Sequence, residues 1–170
     1  AAPGAATPKR ALYAALARRV AGLVAGERDV TANCANAAAA VYWALHAARP
    51  AGERPNWAGF YLRRGAALLV LGPFHGRPAC KRIAFAKGVC GAAARGGGAT
   101  QLVADVHDFP GHIACDSASN SEVVVPVYAS ADGRRGAGAP VCAVLDLDCP
   151  VVGGFDAEDQ RGLEEVARIV

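Results

Sequence analysis

Cysteines, carboxylates and aromatic residues are the parts of this 170-residue chain whose types and spacing could do chemistry. Cys115 lies in the segment 105–122, DVHDFPGHIACDSASNSE, which mixes histidines, acids and serines around one cysteine and has no helical or strand periodicity. Segments of this kind are loops, where binding and catalytic residues concentrate. A polar, partly exposed setting would make the thiol a nucleophile, whereas a buried loop cysteine would be inert, and the local sequence fits both interpretations.

Cys80 and Cys90 precede Cys115 and lie ten residues apart. Cys90 follows Gly88 at the expected opening of a short helix over residues 92–94, and helix N-termini lower the pKa of a thiol. Three cysteines in or beside loops suit a cycle in which one thiol is oxidised to a sulfenic acid and a neighbour resolves it to a disulfide.

Metal binding is the rival interpretation of these cysteines. Zinc sites usually show closely spaced ligand pairs, and only His112 and Cys115 form such a pair here, so we expect no metal site. Cys34 on a predicted helix and Cys142 in a predicted strand are expected to be small core residues. Cys149 follows a strand, and its role stays undecided.

Asp146 and Asp148 alternate with Leu145 and Leu147, which predicts a strand with both carboxylates on one face. Such alternation commonly marks a solvated sheet face. Glu122, however, begins the preceding predicted strand, and pairing of the two strands would bring three carboxylates together. A converging group favours a ligand with an ammonium group, and crowding raises the pKa of each acid, so that one can act as a proton donor.

Trp57 and Tyr61 lie four residues apart in a predicted strand and therefore share a face. They belong either to the sheet core or to an aromatic wall for a small ligand, and spacing does not separate the two. His75 and His107 are expected to be solvated loop histidines.

Helices at both ends of the chain flank a block of short strands. The first helix is predicted from Thr7 and Pro8 to Gly26, the second from Asp29 or Thr31 to Pro50, and the last from Asp156 onwards. The predicted strands cover residues 57–62, 67–71, 82–85, 101–106, 123–128 and 141–147. Their short connections favour an α+β fold, a mixed or antiparallel sheet with helices on one face.

Composition limits the classes of function. The length suits one domain, with helices over 1–50, sheet and site loops over 56–149 and a helix over 156–170. No apolar run could span a membrane, and no Lys/Arg block longer than two suggests a nucleic-acid surface. Six cysteines are too few for a secreted disulfide scaffold, so we expect a reducing, cytoplasmic location. The glycine-rich stretch 129–140 is predicted to be a mobile hairpin tip.

Five stretches stand in order along the chain: NWAGFY at 56–61, LGPFHGRPAC at 71–80, GVCG at 88–91, the segment 105–122, and LDLD at 145–148. Together they closely resemble the free methionine-(R)-sulfoxide reductases, which are enzymes built on a GAF domain. The similarity runs from about residue 30 to the last helix, and the block around Cys115 is long and specific.

The resemblance implies a GAF fold with a central antiparallel sheet of about six strands, and a homodimer. It implies that Cys115 is the attacking thiol, with Cys80 or Cys90 forming the disulfide. By the same resemblance Trp57 and Tyr61 line a pocket for the substrate methyl group. The acids that hold the amino group and polarise the sulfoxide are Glu122, Asp146 and Asp148.

The implied activity is reduction of free methionine-(R)-sulfoxide without a bound cofactor, with thioredoxin as the external reductant. A GAF domain that senses a small molecule without chemistry is the alternative. The reductase would convert its bound ligand to product, whereas the sensor would only bind it.

Overall fold

A computed structural model describes residues 9–129 and 139–170. The predicted helix start at Thr7 and Pro8, and most of the predicted hairpin tip (130–138), lie outside the described residues.

A six-stranded sheet in which all neighbouring strands are antiparallel forms the centre of the molecule. The strands are β1 (Trp57–Arg63), β2 (Leu68–Gly76), β3 (Arg82–Ala84), β4 (Gln101–Val103), β5 (Ser121–Tyr128) and β6 (Val141–Cys149). Their order across the sheet is β3-β2-β1-β6-β5-β4, which places β6 between β1 and β5. The predicted α+β class and strand count are confirmed.

The strand boundaries that differ most from the prediction are the ends of β2 and β4. Strand β2 continues to Gly76 because it stays paired with β1 as far as Trp57. Strand β4 ends at Val103, and Val106 begins a short 3₁₀ turn because the Asp105 side chain accepts a hydrogen bond from the His107 amide. This turn starts the loop that carries Cys115.

Within the described residues, four α-helices accompany the sheet: α1 (Lys9–Val24), α2 (Val30–Ala48), α3 (Gly88–Ala94) and α4 (Ala157–Ile169). Of the two helix starts that the sequence left open, Asp29 and Thr31, Asp29 caps α2 by accepting from the Ala32 amide at 2.8 Å. Asp156 and Asp159 form a reciprocal capping box at the start of α4. These caps fix where the helices begin against the sheet.

The sheet buries different residues on its two faces. Helices α1, α2 and α4 cover one face, where Phe60, Leu145 and Leu147 are fully buried. Helix α3 covers the other face, where Trp57 and Tyr61 are buried. The long helices therefore share one side, as predicted, and the second side is left for α3 and the loops.

The two cysteines that were predicted to be core residues differ in burial. Cys34 on α2 is buried, as predicted. Cys142 is exposed, so that prediction is wrong: it lies at the start of β6 beside an open groove also lined by Leu62 and Val170. Cys149, left undecided, is buried at the end of β6.

Asp159 joins three helices in a buried polar network. Its carboxylate accepts hydrogen bonds from Lys9 Nζ at 2.7 Å, Arg49 Nη2 at 2.8 Å and Tyr13 Oη at 2.9 Å. Because Asp159 is fully buried, each of its oxygens needs these donors. The network fixes α1 and the end of α2 to the start of α4.

Across the part of the chain that the structure describes, no helix has the length and apolar character needed to traverse a lipid bilayer.

Candidate active site

The pairing of β5 with β6 brings the three predicted carboxylates to one end of the sheet. Glu122 pairs with Asp148 across β5 and β6, and Asp146 lies two residues before Asp148 on the same face. Leu145 and Leu147 point to the opposite, helix-covered face. The predicted convergence is therefore confirmed, and the alternative of a solvated sheet face is wrong because Glu122 and Asp146 are buried and Asp148 is half-buried.

Burial sets the proton affinity of the carboxylates. Glu122 is 6% exposed and Asp146 is 5% exposed. Burial, followed by the charge of Asp146, raises the pKa of Glu122 well above its usual range, and the pKa of Asp148 is raised in the same way. Burial raises the pKa of Asp146 to about 7. In the described ranges no lysine or arginine pairs with these acids. His112 Nε2 lies 3.7 Å from Glu122 Oε2, and burial lowers the pKa of that imidazole, which favours its neutral form.

Cys90 lies against the acids and not at a surface. Its Sγ donates to Asp146 Oδ2 at 3.3 Å and lies 3.9 Å from Glu122 Oε1. Burial, then the nearby carboxylates, raise the pKa of the thiol well above its ordinary value. The expectation that the start of α3 lowers this pKa is therefore wrong. Desolvation and the nearby negative charges outweigh the effect of the helix N-terminus, and α3 is only seven residues long.

Cys80 and Cys115 form a disulfide, with a Cα–Cα distance of 5.6 Å. Cys115 is exposed and Cys80 is half-buried. The alternative of an inert, buried loop cysteine at position 115 is wrong. Of the two partners that the sequence left open for Cys115, Cys80 is the one within bonding reach.

The loop that carries Cys115 is fixed at several points. The Gly88 amide at the start of α3 donates to the Gly111 carbonyl at 3.1 Å, and Gly88 has a positive φ of 61°. Near the end of the loop, Asn56 Nδ2 donates to Ser119 Oγ at 3.0 Å, and the Asn120 amide donates to Cys149 O at 2.8 Å. The segment between these anchors brings Cys115 to the mouth of the cavity.

Trp57 and Tyr61 form one wall of this cavity and are also part of the sheet core, so both interpretations of the pair hold. Their rings stack with centroids 5.8 Å apart, and the Phe74 ring also stacks with Trp57 at 5.2 Å. The indole Nε1 donates to Arg77 O at 3.2 Å, which fixes the orientation of the ring.

A cavity of about 30 Å³ lies between the sheet and the Cys115 loop. The predicted site residues that line it are Trp57, Tyr61, Cys90, Cys115, Glu122, Asp146 and Asp148. Cys80 reaches it through the disulfide. This volume is about that of one water molecule, far below the several hundred Å³ of typical ligand pockets. The disulfide form is therefore closed to a free amino acid.

Other residues of the cavity wall received no role from the sequence in catalysis or substrate binding, among them Ile83, Val89 and Ile113, while His112 was considered only as a zinc partner of Cys115. His112 and Ile113 lie in the segment 105–122, whose composition marked it, but neither spacing nor periodicity showed which side chains turn inward. His75 is half-buried in β2 and stacks on Tyr42 at 5.4 Å, so the expected solvated loop position is wrong. His107 is exposed, as expected, and contacts Asn120.

The chain is similar to proteins of known activity. It is 42% identical over 158 residues to the free methionine-R-sulfoxide reductase of Escherichia coli, an alignment that covers 93% of this chain and 86% of the relative. It is 39% identical to a free methionine-R-sulfoxide reductase from Neisseria meningitidis solved in complex with its substrate, with a TM-score of 0.83 and coverage of 99% and 92%.

A solved structure from Burkholderia vietnamiensis, described as a candidate GAF sensor protein, is 50% identical with a TM-score of 0.82. That similarity covers 96% of this chain and 93% of the other. No family model matches the chain.

Proposed function

Since the chain belongs to the free methionine-R-sulfoxide reductases and has the GAF fold, we propose that it reduces free methionine-(R)-sulfoxide to methionine. One observation carries the proposal: the nucleophile candidate Cys115 and the three acids Glu122, Asp146 and Asp148 line the same cavity. A sulfoxide needs a thiol at its sulfur and a proton at its oxygen, and this cavity offers both kinds of group.

Substrate recognition is assigned to the acids and the aromatic wall. The ammonium group binds among Glu122, Asp146 and Asp148, which lack any lysine or arginine partner within the described ranges. The substrate methyl group packs on the Trp57 indole beside Tyr61. A peptide-bound methionine has no free ammonium group and would leave buried carboxylates unpaired, which explains a preference for the free amino acid.

In the chemical step the Cys115 thiolate attacks the sulfoxide sulfur. A protonated member of the acid group donates to the sulfoxide oxygen, which the raised pKa values of Glu122 and Asp148 support. The oxygen passes to the cysteine sulfur, so that the sulfoxide gains two electrons, Cys115 loses two, and the products are methionine and a sulfenic acid. Stereochemical preference follows when the methyl group meets the indole and the oxygen meets the acid.

Regeneration proceeds through Cys80. Its thiol condenses with the Cys115 sulfenic acid, releasing water and forming the disulfide seen here. Thioredoxin then reduces this disulfide by thiol exchange, and no bound cofactor takes part. In the regeneration step Cys90, held by Asp146, acts as a second partner in exchange. We further propose that the protein works in the cytoplasm as a homodimer.

Turnover assays on the wild type and on two single-cysteine variants, Cys115→Ser and Cys80→Ser, test this function. NADPH consumption through thioredoxin reductase and thioredoxin is followed with free methionine-(R)-sulfoxide, the S epimer and a sulfoxide-containing peptide. We expect turnover of the free R epimer alone. Cys115→Ser abolishes it, whereas Cys80→Ser releases about one methionine per chain and then stops.

Turnover of only the S epimer or only the peptide would remove the proposed function. Equal steady turnover in the two variants would overturn the assigned roles. Binding of the sulfoxide without any turnover by the wild type would instead favour the sensor alternative, which the similarity to the Burkholderia vietnamiensis protein brings into view.

A further inference from the structure

Cys90, Glu122 and Asp146 form a compact set of metal-ligating groups. One ligand atom from each side chain lies within 4.8 Å of the other two, and all three residues are buried. In residues 9–129 and 139–170, this is the single group of three or more such side chains drawn so close together. The members come from α3, β5 and β6, so no sequence spacing indicated them.

The distances in this set suit a tetrahedral ion. Zn–S bonds of about 2.3 Å and Zn–O bonds of about 2.0 Å at the tetrahedral angle place sulfur and oxygen about 3.5 Å apart. The Cys90 sulfur lies 3.3 Å from Asp146 Oδ2 and 3.9 Å from Glu122 Oε1. The two sulfur–oxygen distances therefore differ from this value by only a few tenths of an ångström, and the two carboxylate oxygens lie within 4.8 Å of each other.

A second observation points to a missing cationic partner. Asp146 is 5% exposed, lines the cavity, and its Oδ1 has no hydrogen-bond partner within the described structure. A buried carboxylate oxygen without a donor is costly, and a divalent cation that binds both oxygens of Asp146 would satisfy Oδ1 as well as Oδ2. His112 Nε2, 3.7 Å from the second oxygen of Glu122, is placed to orient that carboxylate from outside the ligand set.

We propose that Cys90, Glu122 and Asp146 bind one divalent cation of the zinc class, and that this cation excludes the amino-acid substrate. The donor set decides the class, because a thiolate selects zinc or a similar borderline ion over magnesium and calcium. On binding, the metal displaces the proton of Cys90 and solvent fills the fourth position. The cation occupies the carboxylates that the proposed function assigns to the substrate ammonium, so the exclusion rests on that function.

Cobalt(II) titration of the oxidised protein tests the site. Cys80 and Cys115 are locked in the disulfide and cannot act as ligands. We expect one equivalent of Co²⁺ to produce a thiolate-to-cobalt charge-transfer absorption that Zn²⁺ removes. Cys90→Ala should eliminate the absorption, whereas the control Cys142→Ser, at the exposed cysteine, should retain it. Absence of the absorption in the wild type, or its persistence in Cys90→Ala, would overturn the site.

A second variant, Asp146→Asn, keeps the shape of the side chain. It tests the ligand set even if Cys90→Ala does not fold. We expect it to retain the charge-transfer absorption and to weaken Zn²⁺ binding by at least about tenfold, measured by competition with a chromophoric chelator. Circular dichroism checks the fold of each variant. Unchanged Zn²⁺ affinity in folded Asp146→Asn would contradict the proposed ligand set.

The exclusion is tested by calorimetry on a Cys80→Ser/Cys115→Ser variant, which has no disulfide and no nucleophile. The apparent Kd of methionine-(R)-sulfoxide should rise in proportion to added Zn²⁺, and EDTA should restore it. Zn²⁺ binding without an effect on sulfoxide binding would refute the exclusion. Failure of the sulfoxide to bind even without Zn²⁺ would instead count against the proposed function and leave the cobalt result standing.

Discussion

The two thiols that face the cavity have opposite surroundings. Cys115 lies in an exposed loop, whereas Cys90 is 4% exposed and donates to a buried carboxylate. A thiolate is stabilised by solvent and positive charge and destabilised by burial and negative charge. In the proposed reaction, this difference separates the attacking sulfur of Cys115 from the Cys90 sulfur, which is held by its carboxylate neighbours.

This difference predicts the order of alkylation. In reduced protein at neutral pH, iodoacetamide should modify Cys115 at least about tenfold faster than Cys90, because each unit by which a thiol pKa rises lowers the thiolate fraction tenfold. Peptide mass spectrometry over time measures both rates, with unfolded protein as the control in which they converge. Equal rates in the folded protein would contradict the described environment of Cys90.

Glu122→Gln should make the protein more stable and less active. The change removes a buried, like-charged group from the acid cluster, and we expect the free energy of unfolding to rise by about 1 kcal/mol. Affinity for the sulfoxide should fall because an ammonium partner is lost. Urea unfolding and calorimetry measure the two effects. A lower free energy of unfolding would contradict the prediction, because it would mean that the Glu122 carboxylate stabilises the fold.

Most of the helix and strand features that the sequence predicted correctly depend on interactions between residues close together in the chain. Asp29 and Asp156 marked helix starts because a capping side chain acts within three residues. The face shared by Asp146 and Asp148 followed from the strand repeat alone. The partner of Cys115 and the surroundings of Cys90 depend on how the loop and α3 pack over the sheet. Sequence spacing carries no information on that packing, and the resemblance supplied the disulfide.

From the position of the Cys115 loop over the cavity, we expect the redox state of the Cys80–Cys115 pair to control substrate binding. With the disulfide formed, the cavity of about 30 Å³ cannot hold an amino acid. Oxidised wild type should therefore bind methionine-(R)-sulfoxide at least about tenfold more weakly than Cys115→Ser, in which the loop is released. Calorimetry compares the two proteins. Equal affinities would mean that the loop opens without breakage of the disulfide.

For the whole molecule, stability and chemistry lie on opposite faces of one sheet. Helices α1, α2 and α4 are joined by the buried Asp159 network on one face, and the cavity lies on the other. Tyr13 and Arg49 contact Asp159 but do not line the cavity. The fold is therefore held by groups that the proposed reaction does not use.

Asp159→Asn tests this separation. Loss of the carboxylate leaves Arg49 without its buried ionic partner, and we expect unfolding to become easier by about 3 kcal/mol. Glu165→Gln on the same helix, which breaks only the exposed pair with Arg168, should change stability by less than about 0.5 kcal/mol. Urea unfolding measures both. Single-turnover methionine release by the folded fraction of Asp159→Asn should equal that of the wild type.

In the proposed catalytic cycle, the small cavity beneath the disulfide also determines the order of events. A chain that has just released methionine cannot accept a second sulfoxide until its sulfurs are reduced again. Sulfoxide and reductant therefore alternate at one centre, and double-reciprocal plots at several reductant concentrations should give parallel lines. Excess sulfoxide would not trap the oxidised enzyme, so the repair rate in a stressed cell would follow the supply of reducing equivalents.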